Sequence, residues 1–250
     1  MQPTVSFIVP TYRRTEKLER ALESTRRAAS SPQEVIVVDD CPDGSAFGVA
    51  QKYGARYILK AGIERGQSFS RNIGMQLARA PWLCFLDDDD FLLDGGIDRL
   101  FAIATPDNSL IFGDYFSFNM NERTDVSLQA VTLDNLLVCN RIPMGAFIIN
   151  KSFIVGNFDT RMRSHEDWGF LLSNGFAGSV AHVSTQVVAI DKTENLTTST
   201  EARRRKYFWL DFLSIYARFP ASHLADARQA MLASLGLQLP DGLLRMDDEI

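Results

Sequence analysis

The sequence predicts an α/β protein: a mostly parallel central sheet flanked by helices, with a helical appendage at the C-terminal end. Three observations predict it. Short β-branched runs alternate with amphipathic segments over residues 1–115. Two of those runs stop abruptly in aspartates. From Thr198 onward the pattern is helical only. Strands interleaved with helices form right-handed βαβ units, which place neighbouring strands parallel.

Each element follows in order. Val5-Ser6-Phe7-Ile8-Val9 reads as a strand, stopped by Pro10. Thr15 to Ala29 reads as a helix with Leu18, Ala21, Leu22 and Thr25 on one face. Val35-Ile36-Val37-Val38 is a continuous apolar run, as in a strand covered on both faces. Arg56 to Leu59 is a third strand, Gln67 to Ala80 a helix before Pro81, and Trp82 to Leu86 a fourth strand. Beyond residue 115 the pattern changes. Asn119 to Asp125 reads as a polar loop. Ala146 to Ile149 and Gly178 to Ile190 read as shorter, antiparallel strands, with a helix from Glu166 to Asn174 between them. Thr198 and Glu201 have capping-box spacing, and Leu210, Leu213, Ile215 and Leu232 suggest helices packed back on the body. The division expected is residues 1–200 as one domain and 201–250 as the appendage.

Composition narrows the function. With 250 residues and 46% hydrophobic content the chain suits one large domain. A net charge of −5 argues against a general nucleic-acid binder. Cys41, Cys84 and Cys139 are widely spaced and odd in number, which suggests neither a zinc site nor a disulfide framework and fits a reducing cytoplasm. No signal peptide is read at Met1-Gln2-Pro3-Thr4, and no apolar run approaches the ~18 residues of a membrane span.

The chemistry concentrates in three acidic clusters. Asp87 to Asp90 follow Trp82-Leu83-Cys84-Phe85-Leu86. Adjacent carboxylates repel and raise one another's pKa, and a hard divalent cation removes that repulsion. In an extended chain Asp87 and Asp89 share one face, so one or two of the four would hold a metal. The plainer alternative is a polar loop capping a strand. The second cluster, Asp39-Asp40, ends the Val35–Val38 run. Ligands of open α/β sheets sit outside the carboxyl ends of the strands, so both clusters would line one crevice. Either Asp39 or Asp40 is suited to accept hydrogen bonds from a base or ribose; alternatively the pair merely begins a turn. No G-x-G-x-x-G or G-x-x-x-x-G-K-[ST] loop is present, so a phosphorylated ligand would rely on cations, with Arg13, Arg14, Arg65 and above all Arg71 placed near strand ends or helix starts. The third cluster is Ser164-His165-Glu166-Asp167-Trp168, where an acid could serve as general base or simply complement a helix dipole. His182 and His223 read as structural.

Taken together, these segments resemble family 2 glycosyltransferases of the GT-A (nucleotide-diphospho-sugar transferase) fold, over residues 4 to 200. Val5 to Arg14 is similar to the family's opening strand and turn, and Val35 to Gly44 to its V-V-D-D-x-x-x-D-G segment. Ser70-Arg71-Asn72-Ile73-Gly74 resembles its R-N-x-G helix start, and Phe85 to Asp90 its F-L-D-x-D-D motif. Val155-Gly156-Asn157-Phe158-Asp159 with His165 to Trp168 resembles its G-x-F-D…E-D-W signature. The resemblance implies that Pro10, Thr11 and Tyr12 line the base pocket, with Tyr12 stacking. It implies that Asp40, beside Asp39, binds the base and that Arg71 approaches the diphosphate. Asp87 or Asp88 would contact ribose or sugar, with Arg14 and Glu166 also in the nucleotide-sugar set. Asp89 would be the main ligand of Mn²⁺ or Mg²⁺, and Asp167 the catalytic base of an inverting transfer. The implied partners are a nucleotide-sugar donor, most commonly a UDP-sugar, and a saccharide or lipid-linked acceptor in surface polysaccharide or lipopolysaccharide assembly.

The sequence departs from the family in places. No His stands near Ile190-Asp191-Lys192-Thr193, so Asp191 or water would complete the metal shell. The Q-x-x-R-W motif of processive synthases is missing, which points to addition of one sugar. Arg203-Arg204-Arg205-Lys206 before Tyr207-Phe208-Trp209 suits either peripheral contact with the inner face of a membrane or a solvated helix face. The expected location is cytoplasmic. Two other readings compete. A haloacid-dehalogenase phosphatase would carry Thr or Val where Phe91 stands, and an inactive binding module would have lost Asp89 or Asp167.

Overall fold

The computed structural model describes residues 2–60, 66–193 and 206–238. Their strands are β1 (Val5–Thr11), β2 (Gln33–Asp39), β3 (Arg56–Leu59), β4 (Trp82–Phe85), β5 (Phe91–Leu92), β6 (Asn108–Phe118), β7 (Arg123–Val126), β8 (Phe147–Asn150) and β9 (Ser179–Asp191). The helices are α1 (Thr15–Ala28), α2 (Phe47–Lys52), α3 (Gln67–Leu77), α4 (Gly96–Phe101), α5 (Leu133–Val138), α6 (Glu166–Asn174), α7 (Lys206–Arg218) and α8 (Ala225–Ser234).

The strands form one sheet in the order β3-β2-β1-β4-β8-β6-β9-β5, with β7 on the side of β6. β1 to β4 pair in parallel. β8 then runs antiparallel between β4 and β6, while β6 and β9 are parallel and β5 is antiparallel to β9. The sheet is therefore mixed, with its parallel half made by the alternating segment. β1 is buried at every residue, as a central strand covered on both faces must be.

Several boundaries shift for physical reasons. α3 stops at Leu77 rather than Ala80, because Ala78 is already extended. The freed carbonyls find cationic partners: Arg56 donates to Leu77 O at 3.2 Å and Lys151 to Ala78 O at 2.6 Å. The polar stretch Asn119 to Asp125, expected as a loop, is a hairpin whose second strand, β7, pairs Arg123 to Val126 with Tyr115 to Phe118. An exposed edge strand needs no apolar alternation, so the pattern gives it no signal. β6 escapes the period-two rule as well: its first six residues are all buried.

The C-terminal helices pack on the body, though not by the predicted residues alone. Ile215 and Leu232 are buried, whereas Leu210 is 56% exposed. The packing stripe of α7 is aromatic, with Phe212 and Tyr216 set against Trp168 of α6 and Phe208 against His165. His223, read as structural, is exposed. Arg65, Thr198, Glu201 and the basic run Arg203 to Arg205 lie outside the described residues, as does the side chain of Lys206. Among the described residues no helix is long and apolar enough to cross a membrane.

α3 lies directly on β1, and Gly74 makes that approach possible. A Cβ there would stand 2.3 Å from Ile8 Cγ2, on a fully buried strand. Gly74→Ala is expected to destabilise the fold by about 1–3 kcal/mol in urea unfolding. Gly48→Ala in α2, with nothing within 4 Å, is expected to be neutral or stabilising by up to about 1 kcal/mol.

Candidate active site

The carboxyl ends of β1, β2 and β4, the end of β9 and the start of α6 meet around one cleft of about 610 Å³. Pro10, Thr11, Tyr12, Arg14, Asp40, Arg71, Asp87, Asp88, Asp89, Glu166 and Asp167 all line it. Asp39 does not. Its side chain is fully buried and accepts hydrogen bonds from Cys41 N (2.8 Å), Ala46 N (3.2 Å) and Tyr57 Oη (2.9 Å). The role expected of Asp39 at the base is therefore corrected: it organises the loop after β2, and Tyr57's hydroxyl is held protonated by burial and by that carboxylate. Asp40 alone reaches the cleft, where it accepts from Gly66 N at 2.8 Å and pairs with Lys60 Nζ at 3.1 Å. Tyr12 is 44% exposed at the cleft wall.

The aspartate tetrad is a turn, not an extended continuation of β4. Asp90 N donates to Asp87 O at 3.1 Å, so the alternation expected of Asp87 and Asp89 does not apply. The carboxylates divide by their cationic partners. Asp87 pairs with Arg71 at 2.6 Å. Asp88 accepts from Thr11 Oγ1 at 2.8 Å and shares Arg14 with Asp89, at 3.3 and 2.7 Å. Asp90 is buried and accepts from Asp191 N at 2.8 Å, which ties the tetrad to the end of β9. Burial pushes the Asp88 carboxyl up to about 6. Burial first, and then Asp87, raises Asp89 as well. Asp191, the residue weighed in place of a family His, pairs with Arg20 at 2.9 Å, and Arg20 also donates to the backbone carbonyl of Asp89. Arg20 lies mid-helix in α1, where nothing in the local sequence marks it.

Arg71 is 1% exposed and spans the site. It donates to Asp87 on one side and to Glu166 at 2.8 Å on the other, with its guanidinium 5.4 Å from the Phe158 ring centroid. Glu166 also accepts from Gln67 Nε2. Arg71, expected at a diphosphate, lines the cleft from an enclosed position in which its charge is matched by two carboxylates. Asp167, next to Glu166 at the start of α6, has other hydrogen-bond partners. Its Oδ2 accepts from Asn140 Nδ2 at 2.9 Å and its Oδ1 from Trp168 N at 2.8 Å. Burial, reinforced by Glu166, pushes its carboxyl up to about 7. The turn before it carries His165 at φ 59°, and Asp211 of α7 accepts from Arg163 N at 2.8 Å and Ser164 N at 3.0 Å to hold that turn. His165 is kept neutral, its pKa lowered to about 4 by burial.

A mixed sheet with two acidic strand ends and a third acid cluster on a helix facing them defines a GT-A nucleotide-diphospho-sugar transferase fold. Residues 6–168 match the family model described as glycosyl transferase family 2, and the chain belongs to that family. It is 30% identical over 179 residues to an uncharacterized glycosyltransferase of Haemophilus influenzae, covering 67% of this chain and 60% of that protein. It is 32% identical over 116 residues to a GalNAc(5)-diNAcBac-PP-undecaprenol beta-1,3-glucosyltransferase of Campylobacter jejuni, covering 44% of this chain and 38% of that one. The chain thus spans well under two thirds of these relatives' length. In three dimensions it is similar to Staphylococcus aureus TarS 1–349 in complex with UDP-GlcNAc, at a TM-score of 0.70 and 18% identity, over 93% of this chain and 71% of that one.

Removing one partner of a buried ion pair leaves uncompensated charge, at a cost of about 3–5 kcal/mol. Arg71→Met is expected to lose stability in that range by denaturant titration. Arg71→Lys is expected to recover only part of it, because one ammonium lacks the fork that spans Asp87 and Glu166.

Proposed function

We propose that this chain transfers a single sugar from a nucleoside-diphosphate sugar, a UDP-sugar first, to a hydroxyl of a saccharide or lipid-linked acceptor, with inversion at the anomeric carbon, in surface polysaccharide or lipopolysaccharide assembly. The observation that carries this reading is the separation of roles among the acids. Asp167 has no ion pair with Arg71, Arg14 or Arg20, stands near neutrality in pKa, and opens on the same cleft as the arginine-paired tetrad. The relatives' names, which include a poly(ribitol-phosphate) beta-N-acetylglucosaminyltransferase of Staphylococcus aureus, support a surface-glycan acceptor, and the UDP-GlcNAc complex of a protein of the same fold supports the donor class.

Tyr12 offers an open ring on which a base stacks, and the Asp40 carboxylate stands beside it to accept a base N–H. The donor set around Asp89 fits Mn²⁺ or Mg²⁺. It is all hard oxygen, and burial raises the carboxyls of Asp88 and Asp89 even with Arg14 beside them. No cluster of three or more ligating side chains occurs among the described residues. An ion at Asp89 would be held by one or two carboxylates and otherwise by substrate phosphates. When bound, the ion neutralises the diphosphate and polarises it as a Lewis acid.

Asp167 does the proton transfer. The acceptor oxygen attacks the anomeric carbon, its proton passes to the Asp167 carboxylate, and the bond from that carbon to the diphosphate oxygen breaks with its electron pair leaving on the nucleotide. One displacement inverts the centre. A base that is half ionised near pH 7 matches its task at neutral pH.

Asp167→Asn is expected to abolish nucleoside-diphosphate release while Mn²⁺-dependent nucleotide binding, measured by calorimetry, stays within about twofold. Retention of most turnover would remove Asp167 from the role of base. In the wild type, kcat/KM is expected to fall about tenfold per pH unit below about 7, as the carboxylate is protonated, and to level off above it. Chelation of divalent ions is expected to abolish transfer, and Mn²⁺ to restore it.

A further inference from the structure

We propose that Asn140 is a positioning residue for Asp167, and that the C-terminal helices fix its place through the end of α5. This rests on the reading of Asp167 as the base.

α5 has six residues and is clamped at both ends. At its start, Thr132 and Asn135 form a reciprocal capping box. At its end the last carbonyls have no helical partner and no glycine cap. Three different elements satisfy them instead. Trp168 Nε1 of α6 donates to Leu136 O at 2.6 Å, Arg228 Nε of α8 to Leu137 O at 3.0 Å, and Tyr216 Oη of α7 to Val138 O at 2.8 Å. Arg228 is fully buried, donates also to Phe219 O at 2.6 Å, and stacks 4.2 Å from the Tyr216 ring centroid. A buried arginine aimed at a helix end is hard to explain as packing alone, since burying a guanidinium is costly unless its donors are met.

Two residues beyond α5 stands Asn140. Its Oδ1 accepts from Ile142 N at 3.2 Å, so the amide has only one useful orientation, and the Nδ2 donates to Asp167 Oδ2 at 2.9 Å. With Trp168 N on the other oxygen, both oxygens of Asp167 are held. The titratable and charged groups around Asp167 are Glu166, Arg71, Asp87, the Cys139 thiol with Arg141 beyond it, and His165 on the preceding turn. Arg71 already carries two carboxylates. Asn140 is thus the side-chain donor that both orients Asp167 and favours its ionised form.

The test is a titration of the Asp167 carboxyl by NMR on protein carrying carboxyl-¹³C aspartate, with Asp167→Asn assigning the resonance, and turnover measured alongside. Asn140→Ala is expected to raise the titration midpoint by about one pH unit, the equivalent of one hydrogen bond to a charge. Turnover at pH 7 is expected to fall about fivefold with the donor KM unchanged. Tyr216→Phe, which removes one tie at α5 without touching the cleft, is expected to move the midpoint the same way by less. An unmoved midpoint in Asn140→Ala overturns the positioning role, and an unmoved midpoint in Tyr216→Phe overturns the link to the C-terminal helices. Both readouts are independent of whether Asp167 is the base. That reading fails only if Asp167→Asn keeps its turnover.

Discussion

One buried guanidinium organises this site. Arg71 joins Asp87, at the end of a parallel strand, to Glu166, at the start of a helix from the other half of the sheet. A charge that deeply enclosed is tolerable only with carboxylates in contact. Its two partners are therefore fixed relative to each other, and so are their neighbours. Asp88 and Asp89 follow Asp87 in the same tight turn, and Asp167 follows Glu166 on the same helix. The distance from Asp88 and Asp89 to Asp167 is thus constrained by that ion pair.

Around that pair, the second half of the chain supplies support that the first half lacks. α7 holds the turn before Glu166 through Asp211, while α7 and α8 together hold the end of α5 through Tyr216 and Arg228. Phe212 and Tyr216 pack on Trp168, whose own indole N–H is directed to Leu136 O. The C-terminal helices are thereby part of what keeps α6 in place.

Much of this was legible in the residues. β-branched runs ending in acids mark strand ends on one edge of a parallel sheet and put Asp40 and the tetrad at one crevice, while Arg71 and Asp167 were placed with them by the family resemblance. The rest was hidden for definite reasons. Asp39 and Asp40 are adjacent and chemically identical, and only the loop geometry sends one inward and the other to the cleft. The tetrad bends because Asp90 closes a turn on Asp87, which no side-chain pattern encodes. Arg20 and Asn140 act through contacts 171 and 27 residues away, beyond any local period. β7 is a polar edge strand, and polarity there looks the same as a loop.

The mixed sheet also sets an order of assembly. Synthesis runs from the N-terminus, so β1 to β4 emerge well before β8. Until Phe147 to Asn150 arrive, the apolar strand Trp82 to Phe85 has one unpaired edge, the kind of edge that recruits other chains. Arg71 waits longer still, for a carboxylate 95 positions downstream. The nascent N-terminal half thus has an open strand edge and an arginine short of one carboxylate, and the strand that covers that edge precedes the acid that completes the ion pair.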